Sequence, residues 1–293
     1  MTGDSGRTLK LTIAYDGTGF HGWQLQAGQP TVQGSVLEAI RRICPDVEEL
    51  PGASRTDSGV HALGQCASFR TASTIPLERL RPALNGSLPR DIRIRSVEEA
   101  PPGFHARHSA RGKLYRYWVD RAADSSPFTS RYALHVPDPL DVEAMQRAAQ
   151  AFVGEHDFAS YQCISKGPER STVRTIDSVR VEEAGSLLDV SVAGRSFLYR
   201  MVRAMVGTLL EVGRGKWEPA RVAESIAARS RSTAGPTAPP YGLFLVAVAY
   251  SLPVPLEAEA GRPMFELRGS MEARTGVPSI DLEGPGGYHA RHL

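Results

Sequence analysis

Leu9-Lys10-Leu11-Thr12-Ile13-Ala14-Tyr15 alternates large apolar residues with polar or small ones, so its leucines, isoleucine and tyrosine share one face of a β-strand. Further along, Val36, Leu37, Ile40 and Ile43 recur at helical spacing. Short strands are expected around Leu50 to Ala53 and Gln65 to Phe69, a helix from about Leu77 to Leu84, and a strand from Ile92 to Val97. The order is βαββαβ. After Pro101-Pro102-Gly103 it begins again, with a strand from Lys113 to Val119 and a helix through Val142, Met145, Ala149 and Phe152. A hairpin follows (Ile176 to Glu182, Leu187 to Val192), then helices from Phe197 to Val212 and Pro219 to Arg229, and a buried strand from Leu243 to Tyr250. The expected fold is α+β: two tandem ferredoxin-like halves, residues 1–105 and 106–250, with antiparallel sheets forming a basic cleft. Residues 251–293, with five Pro and six Gly and no apolar period, read as a mobile or loosely packed tail.

Composition narrows the function classes. Of 293 residues, 41% are hydrophobic and 23% charged, too apolar for a disordered chain. No apolar stretch follows the first charges, and the longest apolar run is eight residues where a spanning helix needs about 20. The expectation is a cytoplasmic protein without a signal peptide. Three scattered cysteines suit neither a disulfide framework nor a zinc ribbon. Net charge is only +2, but the basic residues cluster: seven against three acids between Arg90 and Arg116, and five against one between Arg195 and Lys216. Such clusters suit phosphate neutralisation; that 30 of the 34 basic residues are arginine fits either bidentate phosphate contacts or simply the codon usage of a GC-rich genome.

Several motifs weaken on inspection. Gly17-Thr18-Gly19-Phe20-His21-Gly22 fits GxGxxG, but a dinucleotide fingerprint must open a helix, and here Trp23-Gln24-Leu25-Gln26 and Pro30 intervene. Gly213-Arg214-Gly215-Lys216 fails as a phosphate loop because Leu210 stands where the first Gly belongs. His21, His61, His105 and His108 lack zinc-site spacing. No metal or nucleotide cofactor is expected.

The densest chemistry lies in Ala53-Ser54-Arg55-Thr56-Asp57-Ser58-Gly59-Val60-His61-Ala62. Its one carboxylate, Asp57, serves either as an Asx turn or as a catalytic group. Tyr115 and Tyr117 share a strand face, suited to the core or to stacking on an unpaired base. Arg203 sits in an apolar helical run and needs a counter-charge, for which Asp57 is the candidate.

At these residues the chain resembles the TruA-type tRNA pseudouridine synthases. Tyr15 to Gln26 resembles that family's opening motif, Arg55-Thr56-Asp57-Ser58-Gly59-Val60-His61-Ala62-Leu63-Gly64-Gln65 its catalytic loop, and Phe104-His105-Ala106-Arg107 with Lys113-Leu114-Tyr115-Arg116-Tyr117 its central segment. Phe197 to Gly207 and Ala238 to Leu243 resemble its late helix and closing segment. The resemblance implies isomerisation of uridine to pseudouridine in the tRNA anticodon stem-loop, at positions 38, 39 and 40, by a cofactor-free homodimer. It implies Asp57 as the catalytic aspartate, Tyr115 stacked on the target base, Arg203 as the partner of Asp57, and Arg55 extruding the nucleotide or holding its phosphates. Arg107, Arg111 and Lys113, in the basic central stretch, are expected to contact RNA. The glycosidic bond must break and the base rotate in place, which calls for an ionised carboxylate in a closed pocket and a flipped nucleotide. Attack at C1′, attack at C6 and abstraction of a sugar proton all fit these residues. A synthase of this type acting at other tRNA positions, a non-catalytic RNA-binding protein and a nucleotide-cofactor enzyme are the alternatives. The stretch Gln162 to Glu169 departs from the family pattern.

Overall fold

The computed structural model describes residues 6–163 and 171–252, so most of the divergent stretch after Gln162 and nearly all of the expected tail lie outside the described residues. β1 (Arg7–Tyr15) buries Leu9, Leu11, Ile13 and Tyr15, the alternation expected of it. α1 (Val32–Ile43) starts where Thr31 accepts a hydrogen bond from the Gly34 N–H at 3.2 Å, and its last turn carries Arg41 and Arg42. β2 (His61–Thr71), α2 (Leu77–Ser87) and β3 (Ile92–Ala100) complete the first half. Next come β4 (Gly112–Asp120), the two-residue β5 (Leu134–His135), α3 (Val142–Ala149), β6 (Gly154–Asp157), β7 (Val173–Ala184) and β8 (Leu187–Gly194). α4 (Met201–Gly213), α5 (Arg221–Ala228) and β9 (Leu243–Ala249) close the described chain.

The α+β class stands, and the sheet differs from expectation. All nine strands among the described residues belong to one mixed sheet, ordered β3-β1-β2-β9-β4-β8-β7-β6 with β5 beside β4. The joint is the parallel pair β2–β9, through His61↔Phe244 and Ala62↔Leu245. Each partner would otherwise present an open backbone edge, and pairing closes both. The strand expected at Leu50 to Ala53 is absent; a single bridge, Gly52↔Ala67, stands in its place. Pro51 lacks the N–H a ladder needs, and Gly52 gives a strand no side chain to pack.

Three further differences bear on the site. The helix expected from Phe197 begins only at Met201, because Arg200 adopts a left-handed backbone with φ 58° and ψ 14°. Residues 197–200 are thereby released to form a wall. β5 and β6 were not anticipated; the former is two residues long, and the latter (Gly-Glu-His-Asp) has no alternation to read. The main core is continuous from Leu9 and Ile13 to Val190 and Val206. No helix among the described residues is long and apolar enough to cross a membrane.

Candidate active site

The loop from Ser54 to Val60 leaves the core just before β2 and is held from beneath by the segment from Tyr15 to Trp23. The Trp23 N–H donates to the Thr56 carbonyl at 3.1 Å, the Tyr15 hydroxyl lies 2.8 Å from Thr56 Oγ1, and the Ser58 hydroxyl donates to the Phe20 carbonyl at 3.2 Å. Two glycines allow this approach. A Cβ at Gly17 would sit 2.1 Å from the Val60 carbonyl oxygen, and one at Gly22, where φ is +83°, 2.5 Å from that of Thr56. The glycine-rich stretch therefore supports the loop instead of opening a helix. Gln65, fully buried on β2, clamps Ser54 by donating to its carbonyl at 2.7 Å and accepting from its N–H at 3.2 Å.

Asp57 projects from this loop into a cleft of about 850 Å³. Its carboxylate reaches across to α4: Arg203 Nη1 donates to Oδ2 at 2.8 Å, while Nε of the same guanidinium donates to the Ala238 carbonyl at 2.7 Å. The Arg203 side chain is 9% exposed and that of Asp57 15%. Arg200 Nε stands 3.9 Å from the same Oδ2. The cleft wall also carries Arg55, Arg107, Lys113 and Arg174, and Asp57 is the sole carboxylate among the described lining residues.

Tyr115 stands on β4 opposite Val192 and Leu245, and its ring meets Phe197 edge-on with centroids 5.1 Å apart. Its hydroxyl lies 2.6 Å from Ser54 Oγ. Burial, and then the charge of Asp57, push the phenol up to about 12, against the opposing Ser54 bond. Tyr117, two residues on, donates to the Pro239 carbonyl at 2.9 Å and belongs to the core. Burial and the neighbouring Arg107 and Arg174 guanidiniums push the Lys113 amine down to about 8.

Of the residues singled out in the sequence, Asp57, Tyr115, Arg203, Arg55, Arg107 and Lys113 converge on one cleft. Arg111 is exposed beside β4 and does not line it. His105 ties its own loop together, its Nδ1 accepting the N–H groups of Arg107 at 3.1 Å and His108 at 3.2 Å. His61 Nδ1 lies 3.1 Å from the Gly17 amide nitrogen and 3.2 Å from Asp16 Oδ1. Its Nε2 is 3.1 Å from the Tyr241 carbonyl, and its ring stacks on Phe244 at 4.7 Å. That bond to His61, chief among several, holds the Asp16 carboxyl below the usual carboxylate range. Sequence reading missed Arg174, Arg200, Phe197 and the Ser54–Gln65 clamp. Gln65, a long polar side chain heading the expected strand from Gln65 to Phe69, was the one available signal among them.

A model of the tRNA pseudouridine synthase family matches residues 11–109 and 148–251. The tRNA pseudouridine synthase A of Brevibacillus brevis is 47% identical over 244 residues, spanning 83% of this chain and 100% of that protein. Those of Acetivibrio thermocellus and Geobacter sulfurreducens are 46% and 44% identical over the same shares. Among solved structures, a Cbf5–Nop10–Gar1 complex is 15% identical with a TM-score of 0.28, covering 69% of this chain and 45% of that one, too slight a likeness to carry an argument. The chain belongs to the tRNA pseudouridine synthase family, enzymes that isomerise uridine in tRNA.

Proposed function

We propose that this enzyme converts uridine to pseudouridine in the tRNA anticodon stem-loop, at positions 38, 39 and 40, with Asp57 as the catalytic carboxylate and no cofactor. The observation that carries this reading is the lone carboxylate of Asp57, held by Arg203 at 2.8 Å in a cleft whose other charged side chains, among the described lining residues, are all cationic.

The reaction breaks the C1′–N1 bond, turns the base, forms a C1′–C5 bond and moves one proton from C5 to N1. Asp57 supplies the nucleophile or base, and Arg203 fixes its direction. The detached uracil must stay in place, and Tyr115, rigid between Phe197 and Ser54, forms the aromatic surface against which it turns. A target inside a stem has to flip out, at a cost of about a few kcal/mol. Arg55, Arg107 and Lys113 on the cleft wall offset that cost through phosphate contacts, with Arg111 outside it extending the same basic surface.

The same reading takes the molecule as two ferredoxin-like halves, residues 1–105 and 106–250, fused edge to edge. Its support is the strand order: β9-β4-β8-β7 repeats the arrangement β3-β1-β2 plus the Gly52 bridge. It also takes the working form as a cytoplasmic homodimer.

The test is pseudouridine mapping by carbodiimide treatment and primer extension on unmodified tRNA incubated with purified protein alone. New stops confined to the anticodon stem-loop, and lost with Asp57→Ala, are the expected result. Stops elsewhere overturn the site, and none overturns the activity.

A further inference from the structure

Two guanidiniums face Asp57 Oδ2, and they are built differently. Arg203 is buried, at hydrogen-bond distance, and anchored at its other end to a carbonyl. Arg200 stands at 3.9 Å, beyond a hydrogen bond, with its side chain 42% exposed on the cleft wall. An ion pair so long and so wet holds its partners weakly. Arg203 already compensates the carboxylate, so Arg200 is free to exchange its partner.

Its mounting suits another ligand. The guanidinium lies over the Tyr199 ring, 4.9 Å from the centroid, and Tyr199 is itself 41% exposed at the same wall. Stacking keeps the planar fork extended, and that fork matches a phosphate bidentately. The backbone beneath is left-handed, a conformation that Gly or Asn adopts with less strain. An arginine at such a position, beside the carboxylate of a cleft, is a pointer to a task for the side chain.

We infer that Arg200, propped by Tyr199, is an exchangeable counter-ion of Asp57 that takes the RNA phosphodiester beside the target nucleotide as substrate enters. The inference rests on the reading of the cleft as the tRNA site. A phosphate brought near Asp57 meets a second negative charge, and a guanidinium between the two removes that repulsion. The exchange needs no covalent step.

Equilibrium binding of an unmodified tRNA transcript over a range of salt concentrations, with steady-state turnover in parallel, tests this on the full chain. Arg200→Gly keeps the left-handed backbone and deletes the guanidinium. It should raise Kd and KM on the order of tenfold, leave kcat within about threefold, and flatten the log–log salt slope by about one. Arg200→Lys should fall between that variant and wild type. Tyr199→Ala should weaken binding while keeping the slope. A wild-type slope and Kd in Arg200→Gly overturn the inference. So does impairment in Arg200→Ala that Arg200→Gly escapes, since the backbone would then be what matters. Thermal unfolding of each variant separates misfolding from lost contact, and Arg200→Lys carries the test should the smaller residues fail to fold. Wild-type protein that leaves tRNA unmodified overturns the proposed function and this inference together, whereas an active wild type with an unmoved slope in Arg200→Gly overturns this inference alone.

Discussion

Arg203 joins the Asp57 loop to α4 and to the segment that leads into β9: one guanidinium nitrogen holds the carboxylate at 2.8 Å and another holds the Ala238 carbonyl at 2.7 Å. The side chain arises in the first turn of α4, whose residues are all buried, so its root cannot shift without disturbing the core. The carboxylate is thereby aimed by a long side chain rooted in α4.

Replacing Asp57 with Asn leaves Arg203 an oxygen to hold, so the fold should survive while turnover falls by roughly three orders of magnitude or more. Unchanged tRNA binding beside lost pseudouridine formation is the expected pattern. Retained turnover would remove Asp57 from the chemistry. Arg203→Lys supplies one donor group where two separate acceptors are served, and should lower kcat at least about tenfold with little change in KM.

Tyr115→Phe keeps the ring against Phe197 and loses only the bond to Ser54, worth about 1 kcal/mol. Turnover should slow while urea unfolding shifts slightly. Tyr115→Ala removes the ring as well and should cost about 3–5 kcal/mol together with most of the activity. Equal turnover in the two variants would leave the ring without a role.

Lys113 sets the expected pH dependence. Its amine is down to about 8, so it is charged at pH 7 and largely neutral at pH 9, and tRNA affinity should fall across that interval. Lys113→Arg should abolish the fall. Stability runs the other way: the fold favours the neutral amine relative to the usual 10.5, so this residue's destabilising effect fades as pH rises. Binding and unfolding followed over the same pH range distinguish the two trends.

His61→Ala removes a buried ring that packs on Phe244 and touches Gly17, Asp16 and Tyr241. It should destabilise the protein by about 2–4 kcal/mol, read from the urea midpoint at constant slope. A loss below about 1 kcal/mol would mark the ring as dispensable to the joint.

Much of the fold was legible in sequence because β1, α1 and the β7–β8 hairpin carry strong local periods and caps. The fusion into one sheet was not, since the His61↔Phe244 pairing spans more than half the chain and leaves no local trace. Arg203 was found by the anomaly of a charge among Val202, Ala204 and Met205. Arg200 was missed because Phe197 to Met205 reads as continuous helix, and the turn that breaks it depends on tertiary context. Arg111, chosen for charge alone, shows that a basic stretch does not say which way each side chain faces.

β9 is the last described strand of the chain, yet it completes the sheet beside the loop that carries Asp57. During synthesis the ribosome makes that loop early and the strand that locks it some 180 residues later. A nascent chain halted before Leu243 holds Asp57 and Arg203 but lacks both the Phe244 ring that stacks on His61 and the strand that pairs with β2.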